Sequence, residues 1–243
     1  MPLHFLLDQP AAQQPGDAVV LTGTEAHHAA TVRRVRVGEE VTIGDGRGVW
    51  LAGECESVAP REVVVRIAMR TEVARPHPRI VLVQALAKGD RDELAVQAAT
   101  ELGVDEIVPW QAARSVSRWD AAKAEKGRAR WAAIVREAGK QAHRAWLPDV
   151  SSLLSSAALA GRAAASRLLV LEPNAPTALT SLVLGANDDI VLVVGPEGGI
   201  APDELEALAA AGGEPVRLGD TVLRTSTAGP AALAVVNAAL RRW

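Results

Sequence analysis

The residues best suited to chemistry lie where the apolar run Ile190–Val193 enters Val194–Gly199 (VGPEGG), just before a helix start at Pro202, Asp203 and Glu204. Backbone N–H groups and side-chain-free peptide at the carboxyl end of a strand are what open α/β sheets present to nucleotide-like ligands. The same residues would equally serve as a plain turn. A second unusual segment follows, Leu218–Ala228 (LGDTVLRTSTA), between a short strand over Pro215–Leu218 and a helix over Thr227–Leu240. Two such loops at one sheet edge would share a pocket sized for an adenosine. No strand is followed by G-x-G-x-x-G, and no G-x-x-x-x-G-K-[ST] is present, so neither usual phosphate cradle exists. That favours a ligand without a pyrophosphate, and S-adenosylmethionine fits.

The elements positioning these loops alternate strand and helix beyond residue 75. Strands are expected at Ile80–Leu86, Glu106–Trp110, Leu168–Leu171, Ile190–Val194 and Pro215–Leu218, each followed by a helical pattern. This is the rhythm of a parallel sheet covered on both faces. One helix, over Arg91–Leu102, is read with Leu94, Ala95, Ala98 and Leu102 on its apolar stripe, stopping at Gly103. The next carries Trp131, Ile134, Val135, Ala138 and Ala142, with Arg136, Lys140 and Arg144 on a separate face. The Ala/Ser-rich stretch Ser151–Ser166 carries no clear pattern.

Residues 1–74 read instead as strands at Leu3–Leu7, Ala18–Leu21, Glu40–Ile43, Val49–Ser57 and Glu62–Met69, with one short helix around Glu25–Arg33. Asp45, Gly46 and Gly48 mark a hairpin turn, and so many short strands imply a small barrel or sandwich. Arg75–Pro78 (RPHP) blocks helix and reads as the linker to residues 75–243.

Composition narrows the classes. The single cysteine, Cys55, excludes an intrachain disulfide or a cysteine cage, and the five histidines lack zinc spacing, so no metal is expected. A net charge of −3 argues against a non-specific nucleic-acid coater, though local clusters such as Arg33, Arg34 and Arg36 leave room for a selective RNA partner. Six Trp, one Phe and no Tyr make extended base stacking unlikely, so RNA would be recognised by shape, with one nucleotide read closely. Without a signal peptide or bilayer-length apolar run, a soluble cytoplasmic protein with no membrane partner is expected.

Four segments in order, Gln84–Arg91 (QALAKGDR) with Thr100–Val104, Arg136–Arg144 (REAGKQAHR) with Pro148, Val194–Gly199 and Leu218–Ala228, together with His27, His28, Arg33 and Arg34, span almost the whole chain. In these the chain resembles the RsmE family of 16S ribosomal RNA uridine-N3 methyltransferases, of the SPOUT superfamily. The resemblance implies an α/β protein with an N-terminal PUA-like RNA-binding β-barrel and a C-terminal SPOUT domain holding a parallel sheet and a deep trefoil knot. It implies S-adenosyl-L-methionine as cofactor, the small (30S) ribosomal subunit and its decoding-region 16S rRNA as substrate, and a homodimer paired through the knotted domain.

Carried over by motif, the cofactor pocket comprises Leu171, Glu172, Gly195, Pro196, Glu197, Gly198, Gly199, Leu218, Gly219, Leu223, Arg224 and Thr225. Arg144 and Arg224 would hold uracil oxygens or phosphate, and Glu197 would accept a proton or simply favour the helix dipole. His27, Arg33, Arg34, Arg36, Lys88, Arg91, Arg136, Lys140 and Arg144 would meet RNA. Lys88 and Arg91 open a helix, where the dipole disfavours cations, and a phosphate contact would explain them. The chain departs from the family pattern at Ser226, where an acid is usual, and at Ala142. Those departures motivate an alternative, a non-catalytic RNA-binding assembly factor; a Rossmann-type metabolic enzyme is a further one.

Overall fold

The computed structural model describes residues 2–185 and 187–243. By its internal contacts the chain forms two compact units, residues up to Arg75 with Gly139–Leu147, and Pro76–Ala138 with Pro148–Trp243. Periodicity gives no hint that residues 139–147 group with the first unit.

The first unit holds β1 (Leu3–Leu6), β2 (Ala18–Thr22), α1 (Gly23–His27), β3 (Glu40–Gly44), β4 (Val49–Ala59) and β5 (Glu62–Glu72). The sheet order is β1-β3-β4-β5-β2, antiparallel except for the parallel β1–β3 pair. Alternation along β2 and β5 sends Val19, Leu21, Val63, Val65 and Ile67 into one core with Phe5, Ile43 and Leu51. Asp45 builds the β3–β4 turn, its Oδ1 accepting the Arg47 and Val49 N–H groups at 2.7 and 3.1 Å. α1 continues as a wider π-helical turn over His28–Val32, after which Arg33, Arg34 and Arg36 stand exposed.

Buried in this unit, His4 stacks on Trp50 with ring centroids 4.2 Å apart, faces His143 at 5.4 Å, and shares Nδ1 with Thr42 Oγ1 at 2.9 Å. Burial, then His143 and Lys140, pushes its pKa down to about 3 from 6.5. An imidazole neutral in the fold but protonated once unfolded makes stability full above about pH 6.5 and progressively lost towards pH 3. The loss should reach several kcal/mol at the acid end. His4→Gln should flatten the dependence of unfolding free energy on pH across that window; parallel curves for variant and wild type would remove His4 as its cause.

The second unit holds β6 (Ile80–Ala85), α2 (Arg91–Glu101), β7 (Glu106–Trp110), most of α3 (Ala121–Gln141), β8 (Asp149–Val150), α4 (Ser156–Ala160), β9 (Arg167–Leu171), β10 (Ile190–Val194), α5 (Pro202–Ala210), β11 (Glu214–Val216) and α6 (Thr225–Ala239). Its sheet is wholly parallel, in the order β11-β9-β10-β6-β7-β8. Every residue of β6, β7 and β10 is buried, as a sheet packed on both faces requires. α6 presses on the sheet at Gly229, where an added Cβ would sit 3.0 Å from Leu82 Cδ1. The Ser151–Ser166 stretch resolves into α4 and a 3-10 turn, pinned by Trp110 Nε1 donating to Ser156 Oγ at 3.2 Å.

The α2 stripe differs from the sequence expectation. Asp92, Ala95, Val96, Ala99 and Thr100 are buried, while Leu94 is 50% exposed. Two polar residues take core positions because each has an internal partner: Asp92 accepts the Ala87 N–H at 3.1 Å, and Thr100 Oγ1 donates to the Val96 carbonyl at 2.8 Å.

Candidate active site

Three strand ends, those of β9, β10 and β11, open on one cavity of about 430 Å³. After β10 the chain turns at Gly195–Ile200 with Gly199 at φ +73°, a left-handed conformation glycine adopts without strain. Gly195 is required for space instead, since a Cβ there would lie 2.7 Å from Ile200 Cγ1. The turn is braced from α5, where the buried Glu204 accepts the Ala201 N–H at 3.3 Å and the Ala113 N–H at 2.8 Å. After β11, residues 217–224 cross the opening before Arg224 caps α6. Arg217 fixes that crossing, its N–H donating to the Thr177 carbonyl at 2.9 Å and its Nη1 to the Ala175 carbonyl at 3.0 Å.

One side chain joins the two loops. Thr225 Oγ1 donates to the Gly195 carbonyl at 2.9 Å and accepts from Gln84 Nε2 at 2.9 Å. Gln84 is fully buried at the end of β6, a polar residue in an otherwise apolar strand. That break in pattern was the one sequence signal for it, and it marks a strut between β6, β10 and α6.

Of the residues assigned to a cofactor by motif, the structure brings Leu171, Glu172, Gly195, Pro196, Glu197, Gly199, Leu218, Gly219, Leu223, Arg224 and Thr225 to the cavity wall. Gly198 is not there; its carbonyl turns to Arg114 Nη1 at 3.1 Å. Val194 and Ala228, at the ends of the two motif segments, and Ile200 and Val216, outside them, add apolar wall not assigned to the cofactor from the sequence. Glu172 Oε1 accepts from Asn174 N and Nδ2 at 3.2 and 3.3 Å, which fixes the carboxylate at the end of β9. The volume lies in the range of small-molecule sites, and an apolar slot edged by loop peptide, with Glu172 at the end of β9, fits an adenosine-bearing ligand.

Glu197 anchors two turns to each other. Its Oε1 takes the Arg91 guanidinium at 2.7 Å and the Lys88 N–H at 3.0 Å. Burial pushes the carboxyl up, but its own backbone N–H, the Lys88 N–H and the Arg91 guanidinium together hold it below the ordinary carboxylate range. An acid so stabilised as its anion is a poor base. The same pair supplies a reason for Arg91 at the start of α2 that needs no phosphate.

A family model described as an RNA methyltransferase domain matches residues 75–237, and one described as an RNA methyltransferase PUA domain matches residues 21–68. Ribosomal RNA small subunit methyltransferase E of Mycobacterium tuberculosis is 45% identical over 94% of this chain and 89% of its own. The Bacillus subtilis protein of that name is 33% identical over 89% of this chain and 88% of its own. The chain belongs to the ribosomal RNA small subunit methyltransferase E family. Its Neisseria gonorrhoeae counterpart, solved bound to S-adenosyl methionine, superposes with a TM-score of 0.87 at 30% identity over 98% of both chains. A Legionella pneumophila methyltransferase with bound S-adenosylmethionine gives a TM-score of 0.84 at 31% identity, again over 98% of both.

In this member of the methyltransferase E family the proposed RNA-facing residues divide by accessibility. His27, Arg33, Arg34 and Arg36 are exposed on the first unit, and Lys88 is exposed on the second. Arg136 and Arg144 are half-buried, Arg144 within the first unit. Lys140 is a correction: it is 7% exposed, and its Nζ meets Glu25 Oε1 at 3.1 Å inside the first unit. A desolvated pair of this kind is costly to break and is not a surface for RNA. Ser226, the departure from the family pattern, does not line the cavity; it lies with Leu94, Ala98, Thr227 and Pro230 on the α2–α6 face.

Proposed function

We propose that this protein transfers a methyl group from S-adenosyl-L-methionine to N3 of one uridine in the decoding region of 16S rRNA, within the small (30S) subunit and in the cytoplasm. The observation that carries the reading is the cavity between the Gly195–Ile200 turn and the 217–224 crossing, closed by the Thr225 hydroxyl. Bound there, the cofactor supplies an electrophilic methyl group. Charge disperses as such a group transfers, so a carboxylate against it would favour the ground state, and alignment supplies most of the rate. N3 lies on the pairing edge of uracil, so the base must enter unpaired or flipped out. Arg224, exposed at the cavity wall, holds a uracil oxygen and stabilises the negative charge left when N3 loses its proton to solvent water. Glu172 offers its second carboxylate oxygen to ribose hydroxyls. Glu197 and Arg91 keep the 88–91 turn against the 195–200 turn. Arg33, Arg34, Arg36, Lys88, Arg136 and Arg144 meet phosphates.

Incubation with methyl-labelled cofactor and small subunits, followed by nucleoside mass spectrometry, should place the label on uridine N3 at one position. Label on a ribose 2′-oxygen would overturn the assignment.

The protein also pairs with a second copy through the knotted second unit. The half-exposed Leu94 stands on its α2–α6 face beside Ala98 and Pro230, rimmed by Gln97, Glu101, Ser226 and Thr227, a mixed surface that a second copy would cover. Leu94→Asp should convert a dimer to a monomer in sedimentation experiments; a monomeric wild type at micromolar concentration would refute the pairing.

A further inference from the structure

A second cavity, of about 490 Å³, opens in the same unit. One segment is shared between it and the methyl-donor cavity: at the start of α2, Arg91 lines the first cavity and Asp92 the second, with Ala87 and Gly89 of the preceding turn also on the second. The wall of the second is tied to the Gly195–Ile200 turn by Arg114, upstream of Arg118 and Trp119 in the segment after β7, whose Nη1 donates to the Gly198 carbonyl at 3.1 Å. A polymer whose reactive base reached the first cavity would pass the second with its neighbouring residues.

The lining suits such a polymer. Trp119 lies across α3 at Gly127, where an added Cβ would come within 2.4 Å of the ring, and meets Trp131 edge-on at 5.5 Å. The ring is therefore fixed while the residue stays half-buried at the cavity wall, and its indole N–H has no partner among the described residues. The acids of the cavity are engaged: Asp92 accepts the Ala87 and Glu93 N–H groups at 3.1 and 2.9 Å, and Glu93 pairs with Arg130 at 2.7 Å. The lysines are not. Lys126 is exposed with no partner among the described residues, and Lys123 reaches only Asp120, 3.8 Å away in a pair about two-thirds exposed on both sides. A ring serving only to seal α3 would not need such weakly engaged lysines gathered around it.

We infer that this cavity docks the single-stranded RNA flanking the methylated base, one nucleobase lying against Trp119 and adjacent phosphates meeting Lys123 and Lys126. The inference rests on the RNA-methylation reading above. Rigid aromatic surface with cations alongside is how single strands are held without reading each base.

Fluorescence anisotropy with a labelled 16S-derived RNA carrying the target uridine tests this on the full chain. Trp119→Ala should weaken RNA binding about tenfold, with Trp119→Phe retaining most of it. Because Trp119 packs on Trp131, the exposed Lys123→Ala/Lys126→Ala double variant provides a second arm that does not disturb packing. It should reduce the slope of log affinity against log salt by about 1.4, the value for two phosphate contacts on a single strand. Cofactor affinity should be unchanged in all three. Wild-type RNA binding whose affinity and salt slope are unaltered in the lysine variant overturns the docking cavity alone. Failure of the wild type to bind the RNA overturns the methylation reading and the cavity with it.

Discussion

Arg224→Ala should lower methyl transfer at saturating cofactor by about 100-fold while leaving the thermal midpoint unchanged. The stability half follows from its surroundings. Arg224 is exposed, its guanidinium has no partner among the described residues, and it caps the N-terminus of α6, where the helix dipole disfavours a cation. Nothing in the fold gains from that charge. The activity half follows from its place on the cavity wall beside Thr225. Deprotonating N3 leaves negative charge shared with the uracil oxygens, and a preorganised donor lowers the barrier only where that charge develops. Lysine at this position should recover part of the rate, because it keeps the charge and loses the planar fork. Single-turnover kinetics with Arg224→Ala and Arg224→Lys would decide; a wild-type rate in the alanine variant would exclude Arg224 from the chemistry.

What could be read ahead of the structure depended on whether a residue's role was local. The strands Ile80–Ala85 and Ile190–Val194 were legible because both faces of a parallel sheet are buried, so the apolar runs are unbroken. The cavity loops were legible because turn residues at a strand end carry a local signature. α2 was misread because periodicity assumes that polar residues face water, and Asp92 and Thr100 do not. Lys140 was misread for a similar reason. In a run of cations nothing distinguishes the one that finds a buried carboxylate, and Glu25 is 115 residues away. Arg114 left no signal at all, since its contact with the Gly198 carbonyl exists only once two loops after different strands meet.

Thr225→Val should separate the two loops and so weaken both fold and cofactor binding, whereas Thr225→Ser should leave them close to wild type. Valine keeps the shape and removes the hydroxyl that donates to the Gly195 carbonyl and accepts from Gln84. Gln84 would then keep only the Ala85 carbonyl at 3.1 Å, with its Oε1 already buried and unpartnered. The Gly195 carbonyl loses its donor while Gln84 keeps one acceptor, so a loss of about 1–3 kcal/mol is expected. In a chain of this size that corresponds to a fall in thermal midpoint of roughly 2–12 °C. Cofactor affinity should fall by about tenfold or more, because the Gly195–Ile200 turn would no longer be held against α6 and would have to be ordered by the ligand itself. Calorimetry of cofactor binding alongside thermal unfolding separates the two effects. If valine loses stability but keeps full affinity, the hydroxyl supports the fold alone. If serine fails as badly as valine, the methyl packing of Thr225 and not its two hydrogen bonds is what holds the cavity together.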